Sequence, residues 1–114
     1  MQQQSFESAL DVIRLYRTLL DFKEDVISKQ LLRSGTSIGA NVEEASAGQS
    51  RNDFLATMCI AFKEARETKY WLRLLQESEL VKLDLTRQLQ QIDELIRIPT
   101  SIVKTTRESG TQNS

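Results

Sequence analysis

Basic and aromatic side chains recur at helical spacing in one segment of the sequence. Separations of three, four and three residues place the following side chains on one helical face: Lys63, Arg66, Tyr70 and Arg73. Lys69 lies beside this face, and Arg14 and Arg17 form a second basic pair nearer the N-terminus. Cations contact phosphate groups and aromatic rings stack on bases, so the pattern is typical of a surface that binds RNA or DNA.

The same cations also have carboxylates at the spacing of helical ion pairs. Glu67 lies four residues after Lys63, and Glu77 lies four residues after Arg73. The chain carries 15 Lys and Arg against 16 Asp and Glu, a net charge of −1. Dedicated nucleic-acid-binding domains are usually far more basic. The sequence therefore leaves open a nucleic-acid-binding face and a solvated face of paired charges.

A second candidate for chemistry lies near Asn41, which interrupts an apolar helical stripe between Ile38 and Ala45. With Glu44 and a carboxylate of the next helix, Asn41 could form a polar site for a small molecule or a metal. A buried amide needs hydrogen-bond partners, and a polar pair that sets helix register or oligomeric state is the more common arrangement. We therefore expect Asn41 and Glu44 to set register or assembly.

Catalytic and metal-site chemistry is restricted by composition. The chain has no His, which excludes His-based triads and His-containing zinc or di-iron sites. Its single Cys, Cys59, falls on an apolar stripe and is expected to be a small buried residue that forms no internal disulfide. Carboxylates alone would hold Mg²⁺ weakly. We expect no catalytic residues, no metal site and no cofactor.

Four helices are expected to position these residues. The first is predicted from Ser5, as N-cap, to Asp21, with one apolar face: Phe6, Ala9, Ile13, Tyr16 and Leu20. Leu10, Leu15 and Leu19 lie off this face, so a second face is a further candidate for burial. The second is predicted from Asp25 to Ala45, with its own stripe: Ile27, Leu31, Ser34, Ile38, Asn41 and Ala45. Gly35 and Gly39 inside it cost about 1 kcal/mol each relative to Ala. We expect close approach of a neighbouring helix to offset that cost, and the alternative is a loop at this point.

The third helix is predicted from Arg51 to Gln76, with Ser50 and Asp53 as its capping pair. A heptad stripe runs along it: Phe54, Met58, Ala61, Ala65, Thr68, Leu72 and Leu75. A second apolar stripe (Leu55, Cys59, Phe62) widens the surface, which predicts contact with another subunit. Trp71 is expected to anchor a helix or subunit contact.

The fourth helix is predicted to start near Asp84 and to kink or start a new turn at Pro99. Residues 1–107 are therefore predicted to form one all-α, antiparallel, up-and-down four-helix bundle, followed by a disordered tail at residues 108–114. No segment approaches the length of a transmembrane helix, and the N-terminal residues do not resemble a signal peptide. We expect a cytoplasmic protein.

The segment from Leu32 to Ala45 resembles a family of bacterial four-helix-bundle proteins encoded in intervening sequences of 23S ribosomal RNA genes. Its Ser37-Ile38-Gly39-Ala40-Asn41 run fits the family's SIxxN pattern, and the segment from Asp53 to Leu72 supplies the second match. The chain departs from the family where Glu43-Glu44-Ala45 replaces its usual Glu-Gly, and where Phe62-Lys63 replaces a small Gly-Ser pair.

The resemblance implies a homo-oligomer, commonly a pentamer, whose molecular role is largely unassigned. A related protein, the accessory subunit of diversity-generating retroelements, binds a reverse transcriptase and nucleic acid through a basic surface. The partners implied are therefore further copies of the chain, RNA or DNA, and a reverse transcriptase or another nucleic-acid enzyme.

Three hypotheses follow from the sequence. The first is a non-enzymatic, homo-oligomeric adaptor for nucleic acid or a ribonucleoprotein, which predicts unpaired cations at Lys63, Arg66 and Arg73. The second is a purely structural or protein-binding oligomer, which predicts that neighbouring Glu side chains neutralise those cations. The third is a small-molecule or metal site, which predicts a polar cavity around Asn41 and Glu44.

Overall fold

The structure is a computed structural model that describes residues 2–48 and 50–97. Within these ranges it contains three complete helices, α1 (Gln2–Asp21), α2 (Val26–Ser46) and α3 (Arg51–Glu77), and a fourth, α4, over residues 86–97. The described residues contain no β-strand. The predicted all-α four-helix bundle is confirmed. The predicted kink or new turn at Pro99 and the predicted tail at residues 108–114 lie outside the described residues.

The order of packing follows the order of the chain. α2 packs against both α1 and α3, whose backbones do not contact each other. α4 is joined to α1 by an ion pair between Arg87 and Asp11 (3.2 Å), and to α3 by one between Lys69 and Asp93 (2.8 Å). α1 and α3 therefore lie diagonally across the bundle, as an up-and-down arrangement with short connections requires.

Side-chain carboxylates and hydroxyls hold the starts of three helices. Ser50 caps α3 as predicted, because its Oγ accepts the backbone N–H of Asp53 at 3.1 Å. At α2 the cap is the Glu24 carboxylate. It accepts three backbone N–H groups at 3.2, 2.9 and 2.8 Å, those of Val26, Ile27 and Ser28. Negative charge at a helix N-terminus also complements the helix dipole.

α4 begins at residue 86, close to its predicted start. Asp84 Oδ1 accepts the Thr86 side-chain hydroxyl at 2.6 Å and the Thr86 backbone N–H at 3.0 Å. These two hydrogen bonds, the hydroxyl first, lower the pKa of the Asp84 carboxyl below its ordinary value.

The predicted heptad stripe of α3 forms one side of the core. Six of its seven members are buried (Met58, Ala61, Ala65, Thr68, Leu72 and Leu75), and Phe54 is half-buried. Burial along α2 agrees in part with its predicted stripe, at Leu31, Ser34, Ile38 and Ala45. The prediction from spacing succeeds on these helices because one face is clearly richer in small and apolar residues.

On α1 the predicted start and the predicted main inner face are both wrong, but Leu15 and Leu19, two of the residues noted on a second face, are buried. The helix begins at Gln2, and Ser5 is a buried interior residue whose Oγ donates to the Gln2 carbonyl at 3.0 Å. The face turned inward is Ser5, Ser8, Val12, Leu15 and Leu19. Among the residues predicted to be buried, Phe6, Ile13 and Leu20 are exposed.

The close packing of α2 explains which face of α1 turns inward. α2 is a continuous helix through Gly35 and Gly39, as predicted. A Cβ at Gly39 would lie 3.5 Å from the backbone oxygen of Ser5, and one at Gly35 would lie 2.8 Å from both Cγ atoms of Val12. Only small or compact α1 side chains, such as Ser5 and Val12, fit against Gly39 and Gly35, so the neighbouring Phe6 and Ile13 are turned outward.

Candidate nucleic-acid interface

The basic and aromatic residues of α3 lie on the side of the helix that faces away from the core. We call this surface the outer face of α3, and it consists of Cys59, Lys63, Arg66, Tyr70, Arg73 and Glu77, all exposed. Cys59 was expected to be buried, and that prediction is wrong. Its position follows from the heptad geometry, since residues between the core positions of a surface helix point to solvent.

Two cations on this face have no carboxylate partner within the described part of the chain. Neither Lys63 nor Arg66 forms an ion pair with any other residue in ranges 2–48 and 50–97. The Arg66 guanidinium lies over the Phe62 ring, 4.2 Å from its centroid. Tyr70 is 57% exposed and contacts the Trp71 ring edge to face. Cations that make no ion pair with the described residues therefore lie near an exposed aromatic ring on one helix face.

The other two α3 candidates have carboxylate partners. Arg73 Nε lies 3.3 Å from the Glu77 carboxylate, which is the predicted helical pair. Lys69 turns toward α4 and pairs with Asp93. Both ion pairs are substantially exposed, so they reduce the local positive potential and contribute little to stability.

The predicted pairing of Lys63 with Glu67 does not occur. Glu67 instead forms an ion pair with Arg33 of α2. The other terminal nitrogen of Arg33 lies 3.4 Å from the Glu64 carboxylate. The same Glu67 oxygen accepts the Trp71 indole N–H at 3.0 Å. Arg33 was not identified from the sequence, because its partners are 31 and 34 residues away and no local spacing links them.

Arg14 and Arg17 lie on α1, diagonally across the bundle from α3, so the structure does not bring the two basic groups onto one surface. Arg14 pairs with Asp11 at 2.9 Å. Arg17 is exposed and, within the described residues, forms no ion pair.

The residues assigned to register or assembly occupy different environments. Gly35 and Gly39 are buried against α1 of the same chain. Asn41 is half-buried, and its Nδ2 donates to the Ser37 carbonyl of its own helix at 2.8 Å, while Glu44 is exposed. Trp71 is half-buried against the core and hydrogen-bonded to Glu67.

The buried polar pair that links two helices is Ser34 with Thr68. The Thr68 hydroxyl lies 3.0 Å from Ser34 Oγ and 2.8 Å from the Glu64 carbonyl, and both residues are fully buried. Both residues were predicted to lie on core stripes, but their pairing was not predicted. In residues 2–48 and 50–97, no group of three or more His, Cys, Asp or Glu side chains is arranged to hold a metal ion.

The chain matches the family described as 23S rRNA-intervening sequence protein over residues 1–101. The chain belongs to that family. The resemblance seen in the α2 segment is confirmed. Among proteins with curated descriptions, none matches the chain.

A solved structure shares this fold over almost all of its length. It is the crystal structure of a protein of unknown function from the S23 ribosomal protein family of Bacteroides thetaiotaomicron. The two chains are 44% identical, with a TM-score of 0.83, and the match covers 90% of this chain and 97% of that one.

Among the described residues, no helix is both long and apolar enough to cross a membrane.

Proposed function

We propose that this 23S rRNA-intervening sequence protein is a non-enzymatic, cytoplasmic adaptor that assembles with further copies of itself and binds RNA or DNA through the outer face of α3. The observation that carries the proposal is that Lys63 and Arg66, on the same face as exposed Tyr70, form no ion pair with any described residue. A single-stranded segment is the ligand that this arrangement suits, because cations contact its backbone while an aromatic ring stacks on an unpaired base.

Membership of this family supports an association with RNA genes but assigns no activity. A reverse transcriptase or another nucleic-acid enzyme is the protein partner that an adaptor of this kind would serve. The pentamer implied by the resemblance stays a prediction.

A purely structural or protein-binding oligomer is the competing function, favoured by the carboxylate partners of Lys69 and Arg73.

The test is binding of a fluorescently labelled single-stranded RNA or DNA, followed by anisotropy at several salt concentrations. We expect affinity to fall as salt rises, because cations that bind phosphates release counterions. The double variant Lys63→Gln/Arg66→Gln should bind more weakly and reduce the salt slope by about 0.7 for each phosphate that it no longer neutralises. Tyr70→Ala should weaken binding about tenfold or more at every salt concentration, since stacking is not ionic.

A matched control separates a binding site from net charge. Lys29→Gln/Lys82→Gln removes the same charge from two exposed lysines on other parts of the bundle. This variant should keep most of the affinity of the unmodified chain. Equal weakening in the two double variants, or no binding even at low salt, would contradict the proposal and favour the structural oligomer.

A further inference from the structure

Two arginines from different helices share one carboxylate where α1 meets α4. The Asp11 side chain is only 12% exposed, and each of its two oxygens pairs with one guanidinium. Arg14 of the same helix lies 2.9 Å from Oδ1, and Arg87 of α4 lies 3.2 Å from Oδ2. The two guanidiniums are therefore held beside each other at this point of the surface.

Both guanidiniums remain open to solvent. The side chains of Arg14 and Arg87 are 70% and 78% exposed, and each ion pair with Asp11 uses one terminal nitrogen. A guanidinium presents several N–H donors in one plane, so most donors of both arginines stay available for a further ligand. Asp11 thus positions the two groups without occupying their hydrogen-bonding capacity.

Arg17 adds a third guanidinium to the same stretch of α1. It lies three residues after Arg14, so the two side chains are neighbours on the helix surface. Arg17 is exposed and forms no ion pair within residues 2–48 and 50–97. We call Asp11, Arg14, Arg17 and Arg87 the arginine cluster, and its three cations and one carboxylate give it a net charge of +2.

The surplus positive charge exceeds what a link between two helices requires. One cation would neutralise Asp11, and exposed ion pairs contribute little to stability. Within the described residues, no other carboxylate forms an ion pair with the cluster. Glu7 and Glu94 line a small cavity between α1 and α4, and Asp84 binds Thr86. The cluster is therefore suited to an anion from outside the chain.

We propose that the arginine cluster binds a phosphate monoester, the group found in nucleotides and at the 5′ ends of nucleic-acid strands. Guanidinium groups match phosphate oxygens with parallel hydrogen bonds, and clusters of arginines are typical of phosphate sites. A phosphate monoester carries a charge of about −1.5 to −2 at pH 7, which complements the net charge of the cluster. Each phosphate of a strand backbone carries only a single negative charge.

This site is separate from the outer face of α3. Arg14 and Arg17 lie on α1, and α1 and α3 each pack against α2 without a backbone contact between them. The proposed function needs only the outer face of α3. The arginine cluster would give the same chain a second site with a different ligand, a terminal phosphate in place of a strand backbone.

Calorimetry at low salt tests the site with two probes that differ by the phosphate alone. The full chain is titrated with adenosine 5′-monophosphate and with adenosine. Adenosine 5′-monophosphate should bind at least about tenfold more tightly, because the guanidiniums contact only its phosphate. Inorganic phosphate should compete with it. Equal affinity for the two probes, or no binding of adenosine 5′-monophosphate, would overturn the proposal.

A matched pair of double variants locates the site. Arg17→Gln/Arg87→Gln should weaken the binding of adenosine 5′-monophosphate about tenfold or more, since it removes two of the three guanidiniums. Lys29→Gln/Arg51→Gln removes the same charge from two exposed residues elsewhere on the bundle and should keep the affinity. Circular dichroism checks that both variants keep the helices. Equal weakening in the two variants would show an effect of net charge and overturn the site.

Two forms of one strand distinguish the sources of the phosphate. A single strand of about 10 nucleotides, labelled at its 3′ end, is prepared with a 5′-phosphate and with a 5′-hydroxyl. Tighter binding of the phosphorylated strand, lost in Arg17→Gln/Arg87→Gln, supports the site and assigns it to strand ends. Equal binding of the two strands, with adenosine 5′-monophosphate still bound, supports the site and assigns it to a free nucleotide.

The variants also separate this inference from the proposed function. Lys63→Gln/Arg66→Gln should leave the binding of adenosine 5′-monophosphate unchanged, and its loss there would overturn the arginine cluster as the site. Arg17→Gln/Arg87→Gln should leave the salt-dependent binding of the 5′-hydroxyl strand unchanged. A chain that binds adenosine 5′-monophosphate but no strand contradicts the proposed function and supports the arginine cluster.

Discussion

At the scale of single residues, folding changes the ionisation of Asp84. Its charged carboxylate accepts two hydrogen bonds from Thr86, and these lower its pKa below the ordinary value of 3.8. A lowered folded-state pKa means that the charged form favours folding. This contribution is fully present above the ordinary value and is lost as pH falls through the lowered pKa.

Thr86→Val should therefore raise the pKa of Asp84 toward its ordinary value, because the hydroxyl is the larger cause of the shift and the backbone N–H remains. The measurement is an NMR titration of the Asp84 carboxyl carbon. Thr86→Ser, which keeps a hydroxyl at the same position, should keep the low value. An unchanged titration midpoint in Thr86→Val would show that the hydroxyl does not hold the carboxylate.

The ion pair that Glu67 forms decides how much positive charge remains on the outer face of α3. Glu67 is spaced to pair with Lys63 on its own helix, but it pairs with Arg33 on α2. The guanidinium presents several donors in one plane, so it reaches Glu64 as well. Lys63 is for this reason left without an ion-pair partner among the described residues.

At the scale of elements, the contact between α1 and α2 depends on two glycines that differ in the space around them. At Gly35 a Cβ would meet the Val12 side chain at 2.8 Å, and Val12 has little freedom to move because it is branched at Cβ. At Gly39 the nearest atom, the Ser5 backbone oxygen, would be 3.5 Å away, an ordinary contact distance.

The two substitutions by alanine should therefore have opposite effects on stability. Gly39→Ala gains helix propensity without a clash and should raise the free energy of unfolding by about 0.5–1 kcal/mol. Gly35→Ala gains the same propensity but overpacks the core, so it should lower that free energy by about 1 kcal/mol. Urea denaturation at a fixed protein concentration measures both.

A double-mutant cycle identifies the cause of the Gly35 effect. Val12→Ala removes the two methyl groups that the new Cβ would meet, so Gly35→Ala should be less harmful in the Val12→Ala background. Equal stability of Gly35→Ala and Gly39→Ala, or no coupling to Val12, would show that contact with Val12 does not limit the side chain at position 35.

At the scale of the whole molecule, the two basic groups lie on diagonal helices. α1 and α3 each pack against α2, and their backbones do not contact each other. The basic pair of α1 therefore does not extend the outer face of α3. Each copy in an oligomer would offer its own outer face of α3 to a nucleic-acid strand.

This geometry predicts that assembly matters for long strands only. Dilution to a concentration at which sedimentation shows single chains should leave the affinity for a strand of about 10 nucleotides unchanged, because one face accommodates it. Single chains should bind a strand several times longer more weakly than the oligomer does, since they cannot engage two faces at once. Anisotropy with both lengths measures this difference. Equal weakening for the short strand would show that one face does not form the whole binding site.

The sequence was sufficient where one face of a helix carries a longer apolar stripe than any other face. The heptad stripe of α3, ending at Leu75, predicted the buried side almost residue by residue, and Ser50 predicted the start of the helix. The segments from Leu32 to Ala45 and from Asp53 to Leu72 were enough to predict the family, and the match over residues 1–101 confirms it. In each case the signal is local, because helical periodicity and capping depend on residues within a few turns.

Only the tertiary structure decided between alternatives that local spacing leaves equal. α1 has apolar residues on two sides, and the side turned inward is the one whose Ser5 and Val12 fit against Gly39 and Gly35 of α2. Lys63 has the Glu67 carboxylate at helical spacing. Glu67 nevertheless pairs with Arg33, which lies 34 positions away in the sequence. Packing and ion pairing between helices depend on which side chains the fold brings together, and spacing along one helix does not contain that information.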